Sequence, residues 1–407
     1  MTKKLSNYIK KYFLKVKNSI YGRVLVYVIL SFLFLRLFTS SILLIGIFQP
    51  RPDFPYSDFT QNQIVQLEQR SEFSKLFLAP WYRWDTGHYI EIADHGYDFD
   101  PILSVWPPFY PFLIKTLSLL VEPSILSAII ISNLFFIFGL FLLYLLIQEI
   151  LNEDIAKRTL YYVVIFPTSF YFVAGFTESI FLFFSVLVFF LLRRKKWIWA
   201  GFISALAALT RVQGLLLIIP IIIELWFEYS SQKDWKSLIL HLSSCVYAPF
   251  AYGLYSLYVF FGLKVNWPWV TLSSEWNQHF GWPWEGFFSL INIMFGREIE
   301  NDITPTLVKL LSIILPLMAI YLLFKLRKLI PFSISAYSWA MLILIMGKID
   351  DNHAFVSTIR YLITIFPLFI GQAIFIKNKY IKLGYFSLSI MSQIVLVVYF
   401  YWWIWVA

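Results

Sequence analysis

The chain has few of the residues that a soluble enzyme of its length would need. Only 14% of its 407 residues are charged, whereas a soluble domain carries about 25%. Its single cysteine, Cys245, lies in an apolar run, which excludes a disulfide framework and a thiolate metal site. The chain has 16 glycines and neither a GxGxxG nor a GxxxxGKS/T motif. The common phosphate-binding loops of nucleotide-dependent enzymes are therefore excluded.

Apolar sequence fills most of the chain instead. It is 59% hydrophobic and 20% aromatic, with a mean hydropathy of +0.70. Long apolar runs recur from residue 24 to the C-terminus, each near the ~20 residues that a bilayer-spanning helix needs. The pattern predicts an all-α polytopic membrane protein, one domain over residues 1–407. We expect eleven spans, near 24–48, 124–150, 159–175, 177–192, 197–210, 212–228, 237–262, 305–324, 333–347, 359–376 and 381–405.

Much of the positive charge lies at the N-terminus. The formal net charge is +9, and residues 1–23 hold seven Lys or Arg and no acidic residue. A positive excess can indicate nucleic-acid binding, but in a membrane protein it is typical of cytoplasmic segments. The apolar run that follows is long and lacks a small-residue cleavage site, so we expect a first transmembrane helix rather than a removed signal peptide. We therefore expect a cytoplasmic N-terminus and no nucleic-acid partner.

Residues 102–121 are apolar enough to span a membrane, yet three prolines crowd their first half and Lys115 lies inside them. With 102–121 along the membrane surface, the cytoplasmic segments hold 21 Lys or Arg and the outer segments 9. If 102–121 spans instead, the basic run 193–196 moves to the outer face. The positive-inside rule favours the first topology. We therefore predict an interfacial helix here and two large outer loops, 49–123 and 263–304.

The first outer loop contains the densest group of ionisable residues in the chain. Residues 81–97 include two of the five histidines, one arginine and three acidic residues among several aromatic rings. A carboxylate in such a setting can act as a general base that takes a proton from an attacking hydroxyl. We interpret Asp85 as this base. The alternative is that Asp85 forms a structural salt bridge with Arg83.

Further polar residues recur along this segment. On a helix, Asp85, His88 and Glu91 would share one face, and His95 could approach Asp85 after a turn at Gly96. The same side chains suggest a metal, but their spacing is not that of a helical zinc motif such as HExxH. Oxygen ligands could hold Mg²⁺ or Mn²⁺ instead. We favour a site without a metal.

Three charged residues lie at outer membrane boundaries, where charge is costly unless it is paired or functional. Glu178 begins a span, and the alternative role is that of an acid in a helix N-terminal turn beside Thr177. Arg211 lies between two apolar segments, and Arg360 begins a late span. Arginine offers a planar, permanently charged fork, so we expect these two to bind phosphate. The alternative is that both reach out to lipid head groups.

The second large outer loop, 263–304, holds five tryptophans. An interfacial aromatic belt explains them in part. Aromatic faces also pack against sugar rings, and the run Glu275–His279 would supply hydrogen bonds. Combining both outer loops with the boundary residues, we expect substrate to be bound by Arg83, His88, Glu91, His95, Glu178, Arg211, Gln213, Trp276, Gln278, Arg360 and Tyr361.

Several short motifs, in this order, resemble the phosphatidylinositol-glycan mannosyltransferase II family and its prokaryotic relatives, within the GT-C glycosyltransferases. Each motif is short, and their order and spacing over residues 81–370 carry the resemblance. The motifs are Arg83-Trp-Asp85, His95-Gly-Tyr97, Trp106-Pro-Pro-Phe-Tyr-Pro111, Phe166-Pro-Thr-Ser169, Thr177-Glu-Ser179, Thr210-Arg211 with Gly214, Ser357, Arg360-Tyr361 and Phe366-Pro-Leu-Phe369.

The resemblance implies a GT-C fold with amphipathic helices in a first outer loop that carries the catalytic Asp85. It implies transfer of a hexose, with mannose as the first candidate, from a polyprenyl- or dolichyl-phosphate donor to a hydroxyl of a lipid- or glycan-linked acceptor. The transfer is expected to invert the anomeric carbon. It also implies no cofactor and no tightly bound metal. Eukaryotic members act on a lumenal glycosylphosphatidylinositol precursor. This short chain looks more like a prokaryotic relative, with its site on the outer face of the plasma membrane.

A protein from another class would use similar contacts. A flippase or transporter of lipid-linked sugars would bind phosphate and sugar without needing a base. Such a transporter is expected to place polar residues at the membrane midplane, in broken helices of two corresponding halves. Here the polar residues gather on one face, which favours the enzyme.

Overall fold

The structure, a computed structural model, describes residues 20–47, 58–232, 234–294, 304–350, 357–404 and 406. Parts of both predicted outer loops, 49–57 and 295–303, lie outside the described residues, as do residues 1–19 of the basic N-terminal segment. The described chain is mainly helical, as predicted. Its first helices are α1 (Ile20–Ile47), α2 (Asp58–Arg70), α3 (Glu72–Phe77), α4 (Asp85–His95), α5 (Phe109–Ser118), α6 (Ser124–Ile150), α7 (Glu153–Ile165), α8 (Glu178–Leu192) and α9 (Trp197–Ala208).

The second half of the chain continues with helices and one small ribbon. The ribbon pairs β1 (Gln278–Phe280) with β2 (Lys348–Asp350) in antiparallel register, with Phe280 opposite Lys348. The remaining helices are α10 (Ile218–Gln232), α11 (Trp235–Leu242), α12 (Tyr247–Leu257), α13 (Pro268–Trp276), α14 (Glu285–Met294), α15 (Thr306–Leu326), α16 (Phe332–Met346), α17 (Thr358–Tyr361), α18 (Pro367–Phe375) and α19 (Lys379–Tyr401).

Six described helical segments are long and apolar enough to cross a membrane, and a bent pair makes a seventh if it is counted as one span. The pair is Thr358–Thr364 with Pro367–Phe375, and its two parts meet at 84°. Three shorter apolar helices, α8, α9 and α16, accompany them. The six are Tyr21–Ile47, Ser124–Ile150, Val212–Ser230, Trp235–Gly262, Thr306–Leu326 and Lys379–Tyr401.

The prediction of a continuous span over 159–175 is wrong. Helix α7 begins earlier, where the Asn152 side chain accepts a hydrogen bond from the backbone N–H of Ile155 at 2.9 Å. It ends at Ile165 because Pro167 disfavours helical geometry in the residue before it. A 3₁₀ turn, Ser169–Val173, follows. The chain therefore breaks next to the start of α8.

The segment 102–121 contains one short helix. Helix α5 has 10 residues, which at 1.5 Å per residue extend about 15 Å, half of the ~30 Å hydrocarbon core. It packs against α4 and α6. The helix is thus too short to span the hydrocarbon core by itself, and its position along the membrane surface stays a prediction.

Helix α8 lies at the centre of the protein. It packs against both α6 and α9, and most of its side chains are buried. Its first residue, Glu178, is fully buried. The loop before it contacts α4, while the bent pair α17–α18 approaches from the other end of the sequence. This packing places the N-terminal end of α8 beneath the candidate site.

Candidate active site

A cavity of about 510 Å³ opens at the N-terminal end of α8. Side chains from both predicted outer loops and from the bent pair line it together. Eight of the twelve residues selected from the sequence line this cavity: Asp85, His88, Arg211, Gln213, Trp276, Gln278, Arg360 and Tyr361.

Four charged side chains form a continuous buried network beside this cavity. Arg360 donates from Nη1 to Asp85 Oδ2 at 2.7 Å and from Nε to Glu178 Oε1 at 2.5 Å. Arg211 Nη1 lies 2.7 Å from the same Glu178 oxygen and 2.8 Å from Thr177 Oγ1. Glu178 therefore bridges two guanidinium groups, and Arg360 bridges two carboxylates.

Glu178 pairs with Arg211 and Arg360 and is not among the residues that line the cavity, so its predicted contact with substrate stays a prediction. Thr177 occupies the capping position of α8 but makes no capping hydrogen bond through its side chain. Its hydroxyl instead accepts from Arg211 and lies 3.2 Å from the hydroxyl of Tyr89. Burial of Glu178 is compensated by charge pairing, which a buried carboxylate requires.

Aromatic rings surround the two guanidinium groups. The guanidinium carbon of Arg360 lies 4.5 Å from the ring centre of Phe176 and 5.0 Å from that of Tyr171. Arg211 lies 4.7 Å from the ring centre of Tyr361. Such cation–π contacts hold both arginines in fixed orientations in a partly desolvated setting.

The backbone around Asp85 is held in an unusual conformation. Trp84, immediately before Asp85, has φ 53° and ψ −134°, a region that non-glycine residues rarely occupy. Two contacts fix the start of α4 against the loop before α8. Thr86 donates to the carbonyl of Ala174 at 3.1 Å, and Tyr89 meets Thr177. These contacts aim Asp85 at the cavity.

A second left-handed residue precedes Arg360. Ser357 has φ 52° and directly precedes the four-residue helix α17. Thr168, in the 166–169 motif, donates to the carbonyl of Ile359 at 2.8 Å. The motif therefore positions the backbone next to Arg360, which explains how a segment some 190 residues away contributes to the site.

A tight turn positions Arg211. The N–H of Gly214 donates to the carbonyl of Arg211 at 2.8 Å. A Cβ at Gly214 would lie 2.3 Å from the backbone nitrogen of Ala208, so no side chain fits at this position. The turn can therefore pack directly on the end of α9, and Arg211 extends from it toward Glu178.

Electrostatics keep Asp85 ionised and His88 neutral. Burial raises the pKa of Asp85, but the neighbouring Arg360 guanidinium outweighs this effect and holds the pKa below its ordinary value. The side chain of Asp85 is still 22% exposed toward the cavity. Burial lowers the pKa of His88. At neutral pH the site thus offers a carboxylate and a neutral imidazole, both of which can accept a proton.

Arg83 lies outside the cavity. It is buried, donates to the backbone carbonyls of Ala79, Tyr82 and Tyr401 at 2.8 to 3.0 Å, and packs over the Tyr401 ring. These contacts fasten the first outer loop to the end of α19. The considered salt bridge between Arg83 and Asp85 is replaced by the pairing of Asp85 with Arg360. The predicted contact of Arg83 with substrate is therefore wrong, because its guanidinium is occupied by backbone carbonyls outside the cavity.

Glu91 and His95 also lie away from the cavity lining. Glu91 is half-buried on α4, where burial and Asp100 raise its pKa. His95 is exposed at the end of α4 and its ring packs 4.9 Å from that of Phe99. The expected approach of His95 to Asp85 does not occur, because the two residues begin and end the same helix. Among the residues the structure describes, no group of three or more His, Cys, Asp or Glu could hold a metal ion.

Lys348 is a site residue that the sequence analysis missed. It lines the cavity from β2, with Nζ 3.5 Å from the hydroxyl of Tyr361. It is the only Lys or Arg in residues 347–358, a predicted outer segment. That scarcity was a usable signal, because outer loops need no positive charge. Lys348 adds a third cation beside Arg211 and Arg360.

A sequence comparison finds a similarity to a known family in one part of the chain. Residues 105–252 match the family described as dolichyl-phosphate-mannose-protein mannosyltransferase. The matched range includes Glu178 and Arg211 and excludes Asp85 and Arg360. The chain is thus a polytopic membrane protein in which a segment of 148 residues is similar to a glycosyltransferase family.

The chain is also similar to GPI mannosyltransferase 2 of Schizosaccharomyces pombe. The two are 31% identical over 156 residues, which are 37% of this chain and 33% of the relative. The match spans about a third of that relative. The resemblance to the phosphatidylinositol-glycan mannosyltransferase II family, predicted from the motifs, is confirmed.

Solved structures show a more distant similarity. One is the Archaeoglobus fulgidus oligosaccharyltransferase in complex with zinc and sulfate, with a TM-score of 0.43 and 15% identity over 84% of this chain and 52% of that one. Another is archaeal oligosaccharyltransferase AglB from the same organism with an inhibitory peptide and a dolichol-phosphate, with a TM-score of 0.39 and 14% identity over 91% and 56%. This chain spans about half the length of those chains.

Proposed function

We propose that this chain is a membrane glycosyltransferase with a GT-C fold. It transfers a hexose from a polyprenyl- or dolichyl-phosphate donor to a hydroxyl of a lipid- or glycan-linked acceptor, with inversion. Mannose is the first candidate for this hexose. The observation that carries this proposal is the position of Asp85, whose carboxylate is open to a cavity that also contains Arg211, Lys348 and Arg360.

The three cations suit a departing phosphate. Arginine binds phosphate oxygens through a planar fork, and charged hydrogen bonds of this kind are roughly twice as strong as neutral ones. Cations fixed where negative charge develops also favour the departure of the leaving group. Because Arg360 already pairs with Asp85, a bound phosphate would compete for its guanidinium. Binding of the donor would thereby weaken the hold of Arg360 on the base.

Asp85 is the group that we assign as general base. It takes the proton from the acceptor hydroxyl while the hydroxyl oxygen attacks the anomeric carbon, and the phosphate leaves from the opposite side. A single displacement needs one base and no carboxylate nucleophile, so one inward-facing carboxylate is sufficient. We propose that neither a cofactor nor a metal is required.

An apolar groove supports a lipid-linked donor. It measures about 340 Å³ and lies between α14, α15 and α16, where apolar and aromatic side chains line it. Met346 lines this groove, and Lys348, two residues later in the sequence, lines the cavity that contains Asp85. An isoprenoid chain is stabilised by burial in such a groove, while its phosphate remains near the cations. The arrangement suits a polyprenyl phosphate better than a soluble sugar nucleotide.

The charge at the two ends of α8 supports a site on the non-cytoplasmic face. Beyond its C-terminal end, Arg193 and Arg194 pair with Glu149 at 2.7 and 3.2 Å. Glu178 begins the helix, whose 15 residues at 1.5 Å each extend about 22 Å. Under the positive-inside rule the basic end is cytoplasmic and the site faces outward. We propose the plasma membrane of a prokaryote as its location.

Transfer can be tested with purified protein in nanodiscs. The protein is incubated with polyprenyl-phosphate mannose, or the corresponding glucose and galactose donors, and a total lipid extract as the acceptor source. We expect free polyprenyl phosphate and a new mannolipid with inverted linkage, measured by mass spectrometry and NMR. A second assay uses vesicles that contain the purified protein and a fluorescent lipid-linked sugar. If the donors remain unchanged in nanodiscs and the fluorescent lipid crosses the vesicle bilayer, the protein is a flippase instead.

Filling the apolar groove should weaken binding of long-chain donors selectively. We expect Ile343→Trp to raise KM for a long polyprenyl-phosphate sugar by about tenfold, since each CH₂ group that loses its burial costs about 0.8 kcal/mol. A donor with a single short isoprenoid unit should be unaffected. The matched control is Ile314→Trp, because Ile314 is 54% exposed on α15, comparable to 51% for Ile343, and does not line the groove. Equal KM changes in both variants would contradict the proposed lipid path.

A further inference from the structure

The cavity has two chemically different sides. Asp85 pairs with Arg360 on one side, and one turn along α4 the His88 ring packs against two tryptophans. The His88 and Trp106 ring centres are 4.4 Å apart, and Trp106 and Trp276 are 5.0 Å apart at 89°. Gln278 lines the cavity beside them. The second side thus consists of aromatic and amide groups.

Two polar atoms on this second side are buried without a hydrogen-bond partner among the described residues. They are the indole Nε1 of Trp276 and the amide Oε1 of Gln278. Trp276 offers a donor and Gln278 offers an acceptor. Leaving each such group unpaired costs about 1–3 kcal/mol, so their presence at a cavity wall indicates a ligand that supplies both partners.

The backbone between them explains why both face the cavity. In a continuous helix Trp276 and Gln278 would lie about 200° apart around the axis, on nearly opposite sides. Asn277 adopts the left-handed conformation, with φ 51° and ψ 27°, and ends α13. Asparagine occupies this region more readily than most residues. The turn brings Trp276 and Gln278 to the same cavity, and β1 pairs with β2, which carries Lys348.

We propose that Trp276 and Gln278 form the site that recognises the hydroxyls of the transferred hexose, an inference that rests on the proposed function. One ring hydroxyl accepts from the Trp276 indole N–H, and a second hydroxyl donates to Gln278 Oε1. The face of the sugar that carries C–H groups packs on the Trp106 ring. The donor phosphate then lies toward Arg360, and the anomeric carbon lies between the two sides, next to Asp85. Recognition through buried polar groups selects one hexose over an epimer at either of these two carbons, because the inverted hydroxyl leaves its partner atom unpaired.

The test compares Trp276→Phe and Gln278→Leu with wild-type protein. Trp276→Phe keeps an aromatic ring and removes the indole N–H, and Gln278→Leu keeps the approximate shape of the side chain and removes the amide. We expect kcat/KM for the preferred donor to fall about ten- to a hundredfold in each variant. The matched control is Trp282→Phe, because Trp282 belongs to the same loop, is 62% exposed and does not line the cavity. The control should transfer sugar at the wild-type rate.

A series of monodeoxy donors separates recognition from structural damage. In wild-type protein, loss of the hydroxyl bound by Trp276 should slow transfer by a similar factor. In Trp276→Phe the same deoxy donor should react no more slowly than the intact donor. The inference fails if every deoxy donor slows Trp276→Phe by the same factor. It also fails if Trp276→Phe transfers the intact donor as fast as Trp282→Phe does.

Binding measured without turnover distinguishes this inference from the proposed function. Saturation-transfer NMR with methyl hexosides reports sugar binding to the protein in nanodiscs. The wild-type protein could bind the hexosides, lose this binding in Trp276→Phe, and yet transfer no sugar from any donor. That result would overturn the proposed function and retain the sugar site. Equal binding to wild type and to Trp276→Phe would overturn the sugar site, whatever the transferase activity.

Discussion

Replacing Asp85 by Asn should reduce sugar transfer by about 10²- to 10⁴-fold, the range that general base catalysis contributes. Asn has the size of Asp but cannot accept the proton. Arg360 keeps its second partner, Glu178, at 2.5 Å, so the network does not collapse. Binding of the donor and the thermal stability of the protein should therefore stay near wild type. Transfer of radioactive mannose under single-turnover conditions measures the rate, and equilibrium binding of the donor measures affinity.

The matched control for this variant is Asp94→Asn. Asp94 lies on the same helix as Asp85, is exposed, and accepts a hydrogen bond from Ser124 at 2.6 Å outside the cavity lining. It should transfer sugar normally. If Asp85→Asn instead turns over at the wild-type rate, Asp85 is not the base. Among the described residues that line the cavity, the neutral imidazole of His88 and the carboxylate of Glu275 would then be the remaining groups able to take the proton.

The pH dependence of transfer should report the lowered pKa of Asp85. A carboxylate whose pKa is depressed remains ionised as the pH falls, so activity should persist below the ordinary Asp value of about 3.9. The same pairing contributes stability above that value, and this contribution is lost as the pH falls through the depressed pKa. An acid limb of kcat/KM at or above the ordinary value would contradict the pairing with Arg360 in the free protein.

Replacing Glu178 by Gln should cause the largest loss of stability of any single change considered. It removes the carboxylate that Arg211 and Arg360 share, and leaves two guanidinium groups, 7% and 3% exposed, with one paired carboxylate between them. Removing one partner of a buried ion pair typically costs about 3–5 kcal/mol. Thermal unfolding of the protein in detergent measures this cost.

Glu149 provides a control with the same connectivity at the surface. It also pairs with two arginines, Arg193 and Arg194, but all three side chains are at least 35% exposed. Glu149→Gln should cost less than about 1 kcal/mol, because water screens exposed pairs. A double variant, Glu178→Gln with Arg211→Met, should lose less stability than the sum of the two single changes. Equal unfolding temperatures for Glu178→Gln and Glu149→Gln would show that burial does not govern the pairing.

Much of the candidate site could be predicted from local sequence. Asp85 was a candidate because acidic residues, histidines and aromatic rings cluster within a short outer segment. Arg211, Arg360 and Glu178 were candidates because charge at a membrane boundary is costly. These signals depend only on residue type and on distance from apolar runs. They could not show which charges pair, since Arg360 and Glu178 are 182 residues apart in sequence.

The same local signals also selected residues that do other work. Arg83 looked like a site residue because it adjoins Asp85, yet successive residues point in different directions, and Arg83 fastens the loop to α19. His95 shares the segment but lies at the far end of α4. Lys348 was missed because its isolation in a predicted outer segment was not used as a signal. Its role depends on the ribbon that brings β2 to the cavity.

The sequence by itself determined the class of protein, because hydropathy and the distribution of Lys and Arg act over single helices and single loops. It also determined which ionisable residues are available to a site, namely those of one dense acidic segment and isolated charges at the ends of spans. The tertiary structure alone decided which groups meet. Packing at the N-terminal end of α8 joins Asp85, Arg360, Glu178 and Arg211 into one network. Burial makes that network specific, since a charge removed from water is stable only beside a partner in the right geometry.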